Sequence, residues 1–292
     1  MKLVTFRIDG EERVGALVNQ DKAVVDLTSA GATSMLNLIE RLDSARLELP
    51  KLDTLQSVPV DKVEILAPIP RPARNIFCVG KNYREHAAEF GRSGYDGGAI
   101  GGNEIPDGPI IFTKPPSCVI GPGDAIESVL DPFASVDYEA ELAVVIGRRG
   151  RVGRDDDPMS FVFGYALFND VTSRELQKRH KQWVLGKGID TFGPLGPAIV
   201  TADAIPDPAN LTLQLWVNDE LRQSANVGDL IFDIPTLVRT IGTSITLQPG
   251  DIIATGTPAG VGIGFKPPRY LQAGDKVRIH VPEIGTLENP VL

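Results

Sequence analysis

Glu139 and Glu141 stand two residues apart in the run Val136-Asp137-Tyr138-Glu139-Ala140-Glu141-Leu142-Ala143-Val144-Val145-Ile146. Alternation along a strand points both side chains the same way from an otherwise apolar ribbon. Like charges held parallel in a partly buried setting are costly, and a hard divalent cation, which prefers oxygen ligands, is the cheapest compensation. A third carboxylate, Asp170, closes the apolar run 161–169. The trio Glu139, Glu141 and Asp170 is what a Mg²⁺ or Mn²⁺ site requires. The wet face of an edge strand accounts equally well for the glutamate pair, so spacing alone leaves both readings open.

A second constellation is Gly80-Lys81-Asn82-Tyr83-Arg84-Glu85-His86-Ala87-Ala88-Glu89. His86 and Glu89, three apart, share one face if the segment is helical. A carboxylate on one ring nitrogen fixes the tautomer and leaves the other to take a proton. A solvated helix face with an incidental His-Glu pair fits the same spacing. Lys187 lies between Gly186 and Gly188, where the backbone can approach a ligand closely and the cation can hold a carboxylate or an oxyanion. By base rates it is a surface turn lysine. His180, at a basic helix end, and His280, in a strand, have no partner nearby in sequence and read as structural or surface residues. The loop Thr255-Gly256-Thr257-Pro258-Ala259-Gly260-Val261-Gly262 offers N–H groups and a hydroxyl to an anion, but without the lysine or spacing of a nucleotide loop.

The elements that must position these residues can be read coarsely. Short strands are expected at 3–8, 14–18 and 23–27, then a helix near 34–42. Three prolines between 66 and 72 cannot continue a helix or a central strand, so they read as a linker. That division gives a small N-terminal domain at 1–70 and a main domain at 71–292. In the latter, strands are expected at 75–79, 108–112, 139–146, 161–168, 211–217, 251–254 and 276–281. Helices are expected at 82–90, 173–181 and 235–245, the last after Asp233 and with Pro235 in its first turn. With 30 Gly and 23 Pro, the chain reads as β-rich α+β.

The bulk numbers narrow the function class. A chain of 292 residues, 42% hydrophobic and 23% charged, has the composition of a globular enzyme. Its formal charge of −9 argues against nucleic acid or an anionic membrane as partner, though not against a local basic pocket for a small anion. Two cysteines, Cys78 and Cys118, form no disulfide framework, and no signal-peptide or bilayer-spanning run is visible, so a cytoplasmic location is expected.

Taken together, the segments resemble the fumarylacetoacetate hydrolase family from about residue 74 to the C-terminus. The matching elements appear in order: Gly80-Lys81-Asn82-Tyr83 with His86 and Glu89, Phe112-Thr113-Lys114-Pro115, Tyr138-Glu139-Ala140-Glu141, Asn169-Asp170-Val171-Thr172 followed by Arg174 and Gln177, Lys187 ahead of Asp190-Thr191-Phe192-Gly193-Pro194, and Thr255-Gly256-Thr257-Pro258. The resemblance implies a mixed β-sandwich roll behind a small N-terminal domain, usually in a homodimer. It implies Mg²⁺ or Mn²⁺ on Glu139, Glu141 and Asp170, and a small anionic 2-oxo acid held by Lys187, Gln177 and Thr257, with Lys81, Tyr83 and Lys114 as further substrate contacts. His86 and Glu89 match the dyad that activates water where family members hydrolyse acylpyruvates.

The leading expectation is therefore a hydrolase. His86, oriented by Glu89, deprotonates a water that attacks the distal carbonyl of a 2,4-dioxo acid, and Lys187 helps carry the charge of the released pyruvate enolate. The alternative within enzymes is an isomerase or a decarboxylase of a 2-oxo dicarboxylate such as oxaloacetate. Outside enzymes, it is a catalytically silent metal-dependent metabolite-binding protein. A lid over residues 82–104 is a further expectation, from the Gly-rich stretch that follows His86 and Glu89.

Overall fold

The computed structural model describes residues 1–43, 51–93 and 105–292. Its centre is the strand Ala140–Ile146, buried at every position. That strand pairs antiparallel with Val162–Asn169 on one side and Ile252–Ala254 on the other. Beyond Ile252–Ala254 lie Ile76–Gly80, in parallel, and then Ile110–Lys114. Beyond Val162–Asn169 come Gly193–Thr201, Lys2–Ile8, Glu11–Val18 and Ala23–Asp26. A separate antiparallel sheet orders Glu220–Asn226, Thr212–Val217, Lys276–Val281 and Gly285–Pro290. The architecture is the strand-rich α+β arrangement that the sequence predicts.

Alternation sorts the central strand between two cores. Leu142, Val144 and Ile146 pack with Leu213, Leu215, Val277 and Ile279 of the second sheet and with Leu237, Val238 and Ile241 of the helix Ile234–Ser244. Ala143 and Val145 join a different cluster with Cys78, Phe168, Ile199 and Ala254. A sheet covered on both faces reads as a continuous apolar run, which is why Leu142 to Ile146 contains no polar residue. Glu139 and Glu141 share the parity of Ala143 and Val145, so the like orientation expected from spacing is present.

The N-terminal residues continue the same sheet. Lys2 lies opposite Val200 and Leu3 opposite Ile199, and Leu66 N–H donates to Thr5 O at 2.9 Å. Leu3, Leu38 and Ile39 are buried in one cluster with Ala143 and Val145. The strand Gly193–Thr201, which makes this connection, contains Pro194 and Pro197 and is not expected from its sequence, since proline removes ladder donors. Glu220–Asn226 and Gly285–Pro290 also go unsignalled, being short polar partners of better-marked strands.

The helices match more closely. Ile234–Ser244 begins on Asp233, whose carboxylate accepts from Thr236 N–H at 2.9 Å. Arg174–His180 begins on Ser173. The helix expected from residue 82 is Arg84–Ser93, because Asn82 has tertiary bonds instead: Nδ2 donates to Phe232 O at 3.0 Å and Thr255 O at 2.7 Å. Of the lid expectation, residues 94–104 lie outside the described residues. No helix among the described residues is long and apolar enough to cross a membrane.

Candidate metal centre and acid–base cavity

The strand register assembles the carboxylates. Ala140 lies opposite Asn169, so Glu139 and Asp170 meet just beyond the paired residues, where Asp170 N–H donates to Glu139 O at 2.9 Å. Asn169 closes the corner by accepting from Glu139 N–H at 3.0 Å. Ligand oxygens of Glu139, Glu141 and Asp170 all lie within 4.8 Å of one another, and all three residues are buried.

Three cations surround them. Lys187 Nζ lies 2.8 Å from Glu139 Oε2 and 2.7 Å from Asp170 Oδ2. Lys114 Nζ lies 2.7 Å from Asp170 Oδ1 and donates to Val171 O at 2.9 Å. Arg174 sits between Glu139 Oε1, at 2.7 Å, and Asp137 Oδ2, at 2.8 Å. Four buried carboxylates thus face three fixed cations, which leaves one negative charge in excess. It falls on Glu141, whose carboxylate accepts only Gly256 N–H, at 2.9 Å, among the described residues. Burial, then the Asp170 and Glu139 charges, pushes the Glu141 carboxyl well above its usual range. Burial works against Glu139 as well, but Lys187 and Arg174 outweigh it and bring that group down to about 2. Lys187 is held above its ordinary value because Asp170 and Glu139 more than offset its own burial. A hard trio with uncompensated charge fits a divalent cation, and the bound ion would turn the excess from negative to positive.

A cavity opens on this cluster. Of the residues singled out from the sequence, Lys81, His86, Glu139, Gln177, Lys187 and Thr257 line it. His86 Nδ1 lies 3.3 Å from Glu89 Oε2, so the dyad read from the spacing is formed, and Glu89 also accepts from Gly260 N–H at 3.2 Å. Thr257 Oγ accepts from Gln223 Nε2 at 2.8 Å, which leaves its own hydrogen free to donate. Lys187 is no surface turn: it ends the short helix Val184–Lys187 and is 2% exposed. The loop 255–262 does meet anions with its N–H groups, but they are the protein's own: Gly256 on Glu141, Gly260 on Glu89, and Gly262 on Asp137 at 2.6 Å.

Two residues expected at the substrate stand elsewhere. Lys114, fully buried, is behind Asp170 and orients it. Tyr83 is buried, bridges Leu230 and lines a neighbouring cavity with Arg84, Asp229 and Pro258, not the one that holds His86. His180 is exposed and His280 bonds Thr286 at 3.0 Å, both apart from the cavity. Arg174 and Asp137 are additional participants. Their signals were the i, i+3 spacing of Arg174 from Gln177 and the alternation Asp137, Glu139, Glu141. Arg174 Nη2 is buried with no hydrogen-bond partner among the described residues, and the side chain lines the cavity. Trp183, Phe90 and Phe112 complete the wall, the rings of Phe112 and Trp183 meeting edge to face at 5.0 Å.

Residues 75–292 match the family model described as fumarylacetoacetate (FAA) hydrolase C-terminal. The chain belongs to this family. The oxaloacetate tautomerase YisK of Bacillus subtilis is 47% identical over 232 residues, covering 80% of this chain and 74% of that protein. The mitochondrial oxaloacetate tautomerase Fahd2a of Rattus norvegicus is 40% identical over 303 residues, covering all of this chain and 92% of that one. Among solved structures, the maleylpyruvate hydrolase of Sphingobium sp. SYK-6, in complex with manganese(II) and pyruvate, superimposes with a TM-score of 0.78 at 34% identity, covering all of this chain and 99% of that one. The names of the relatives correct the weight of the sequence-based alternatives: both of these relatives carry tautomerase names, one of them matched over all of this chain, while a hydrolase, the class expected first, is represented among the structural neighbours.

Proposed function

We propose that this protein moves a proton at the carbon beside the carbonyl of a short 2-oxo dicarboxylate, interconverting the keto and enol forms of oxaloacetate. The observation that carries this reading is the cavity's composition: one oriented base, His86, shares its lining with three cations, Lys81, Arg174 and Lys187. Full-length similarity to an oxaloacetate tautomerase supports the same substrate class.

The chain's residues can divide the work as follows. His86, its ring held by Glu89, takes the proton from the carbon, and the C–H pair becomes the C=C bond. The carbonyl pair moves onto oxygen, where charge develops and a proton is then accepted to give the enol. Lys187, kept charged by Asp170 and Glu139, and the unpaired Nη2 of Arg174 are donors for that oxygen. Gln177 and Thr257 orient the acid. Glu139, Glu141 and Asp170 would hold Mg²⁺ or Mn²⁺, which supplies Lewis acidity to the oxygens of a 2-oxo acid when bound.

The second reading, hydrolysis of a 2,4-dioxo acid to pyruvate, is favoured by the manganese–pyruvate complex of the maleylpyruvate hydrolase. Both are tested by mixing the Mg²⁺-loaded protein with enol oxaloacetate and with acylpyruvates, while following enol absorbance and pyruvate. Rapid loss of the oxaloacetate enol without pyruvate is expected. Spontaneous-rate tautomerisation together with pyruvate release from an acylpyruvate would replace the first reading by the second, and pyruvate from oxaloacetate would mean decarboxylation.

A further inference from the structure

We infer that Trp183 sets the upper size of the acid this protein takes, admitting a short 2-oxo diacid and excluding longer ones. For the identity of the substrate the inference rests on the proton-transfer reading above. Trp183 is half-buried and has the largest side chain in the cavity's lining. Its neighbours Lys181, Gln182, Val184 and Leu185 are all exposed, so the indole is where this surface segment turns inward. Gly80 makes room for it: a β-carbon there would lie 2.6 Å from Cζ3 and 3.0 Å from Cη2 of the indole. Gly80 ends the strand Ile76–Gly80 and does not have a left-handed backbone, so the ring, not the turn, requires a glycine.

Two further contacts keep the ring from yielding. Phe112 meets it edge to face, with 72° between the planes. The main chain is tied down as well, since Trp183 O accepts from Gly186 N–H and Lys187 N–H, each at 2.9 Å. Trp183 and Lys187 stand four apart on this helical turn and both line the cavity. Phe112 reaches both, its ring centre lying 5.3 Å from Lys187 Nζ. With the 2-oxo end held at Lys187, the remainder of the acid has to fit beside an indole backed by Gly80 and met by Phe112. A misfit of one methylene in a close pocket costs about tenfold or more.

Calorimetric titration of the Mg²⁺-loaded protein with oxaloacetate, 2-oxoglutarate and 2-oxoadipate, diacids of increasing length, reads the limit without requiring turnover. The unsubstituted protein is expected to prefer oxaloacetate to 2-oxoadipate by about tenfold or more, and Trp183→Ala to lower that preference by at least about tenfold. Trp183→Leu, which keeps an apolar side chain on the turn, is expected to lower it in the same direction. Trp183 lies outside the buried core clusters, so both variants are expected to fold. Gly80→Ala gives an independent arm. It is expected to change the oxaloacetate Kd by about threefold or more where Trp183 is present, and by less beside Trp183→Ala, where the added carbon meets no ring. Equal affinity of the unsubstituted protein for all three acids, a preference that survives Trp183→Ala, or the same Gly80→Ala effect in both backgrounds overturns the assignment. A size limit that depends on Trp183 in a protein that leaves oxaloacetate tautomerisation at its spontaneous rate would sink the proposed reaction and leave this inference standing.

Discussion

His86 is the side chain on which proton transfer depends, since no other histidine lines the cavity among the described residues. His86→Ala is expected to lower enol-oxaloacetate turnover by about 10²- to 10⁴-fold with the melting temperature little changed, measured by stopped-flow absorbance. Retained turnover would move the base elsewhere. Glu141 governs a different property. Its raised pKa means that folding favours its protonated form in the metal-free protein, so that stabilisation is complete below the unfolded value, about pH 4, and disappears as pH rises through the folded value. Glu139 runs the other way: with a folded value of about 2, its contribution is complete above the unfolded value and lost as pH falls toward 2. Metal-free protein is therefore expected to melt lower as pH is raised from about 5 to about 9, and Glu141→Gln to flatten that slope. A slope identical in the two proteins would count against an uncompensated charge on Glu141.

The helix Arg84–Ser93 carries the dyad, and the loop after the strand Ile252–Ala254 holds it in place. Gly260 N–H binds the Glu89 carboxylate, and Tyr138 OH fixes Gly260 by donating to its carbonyl at 2.9 Å. Gly264 is needed for the same contact, since a β-carbon there would run into the Glu89 carboxylate. Gly264→Ala should displace Glu89, lower kcat about tenfold and shift the pH profile of kcat, with a small change in melting temperature. Unaltered kcat and an unaltered profile would show that the helix docks without this fit. The prediction belongs to the element, because the alanine touches neither the metal ligands nor the cavity wall.

Across the whole molecule, the sheet transmits the N-terminal segment's packing to the site. Leu3 is fully buried, in the cluster that also holds Ala143 and Val145, two to four residues beyond Glu141. Leu3→Ala is expected to cost about 2–5 kcal/mol in denaturant unfolding. A cost near zero would mean that the first strand is an appendage rather than part of the core. Binding of a divalent ion acts at the same scale, because an ion that prefers the folded trio stabilises the whole fold by mass action. Mg²⁺ or Mn²⁺ should raise the melting temperature of the unsubstituted protein, and most of that gain should vanish in Glu141→Gln.

Local pattern made much of this protein legible from sequence. The parity of Glu139 and Glu141, the spacing of His86 and Glu89, the cap at Asp233 and the apolar run Leu142 to Ile146 are each set within a few residues, where backbone periodicity acts directly. Other features depend on residues far apart in the chain. Tertiary structure alone decided that Gly193–Thr201 is a strand despite its prolines, since its partners lie almost two hundred residues back at Lys2–Ile8 and some thirty back at Val162–Asn169. It decided too that Lys187 is buried against two carboxylates, that Lys114 pairs with Asp170, and that Tyr83 lines a neighbouring cavity. An alternating pattern shows which face a side chain takes, but the burial that turns a charge into a ligand or a counter-ion comes from whatever the fold packs over that face.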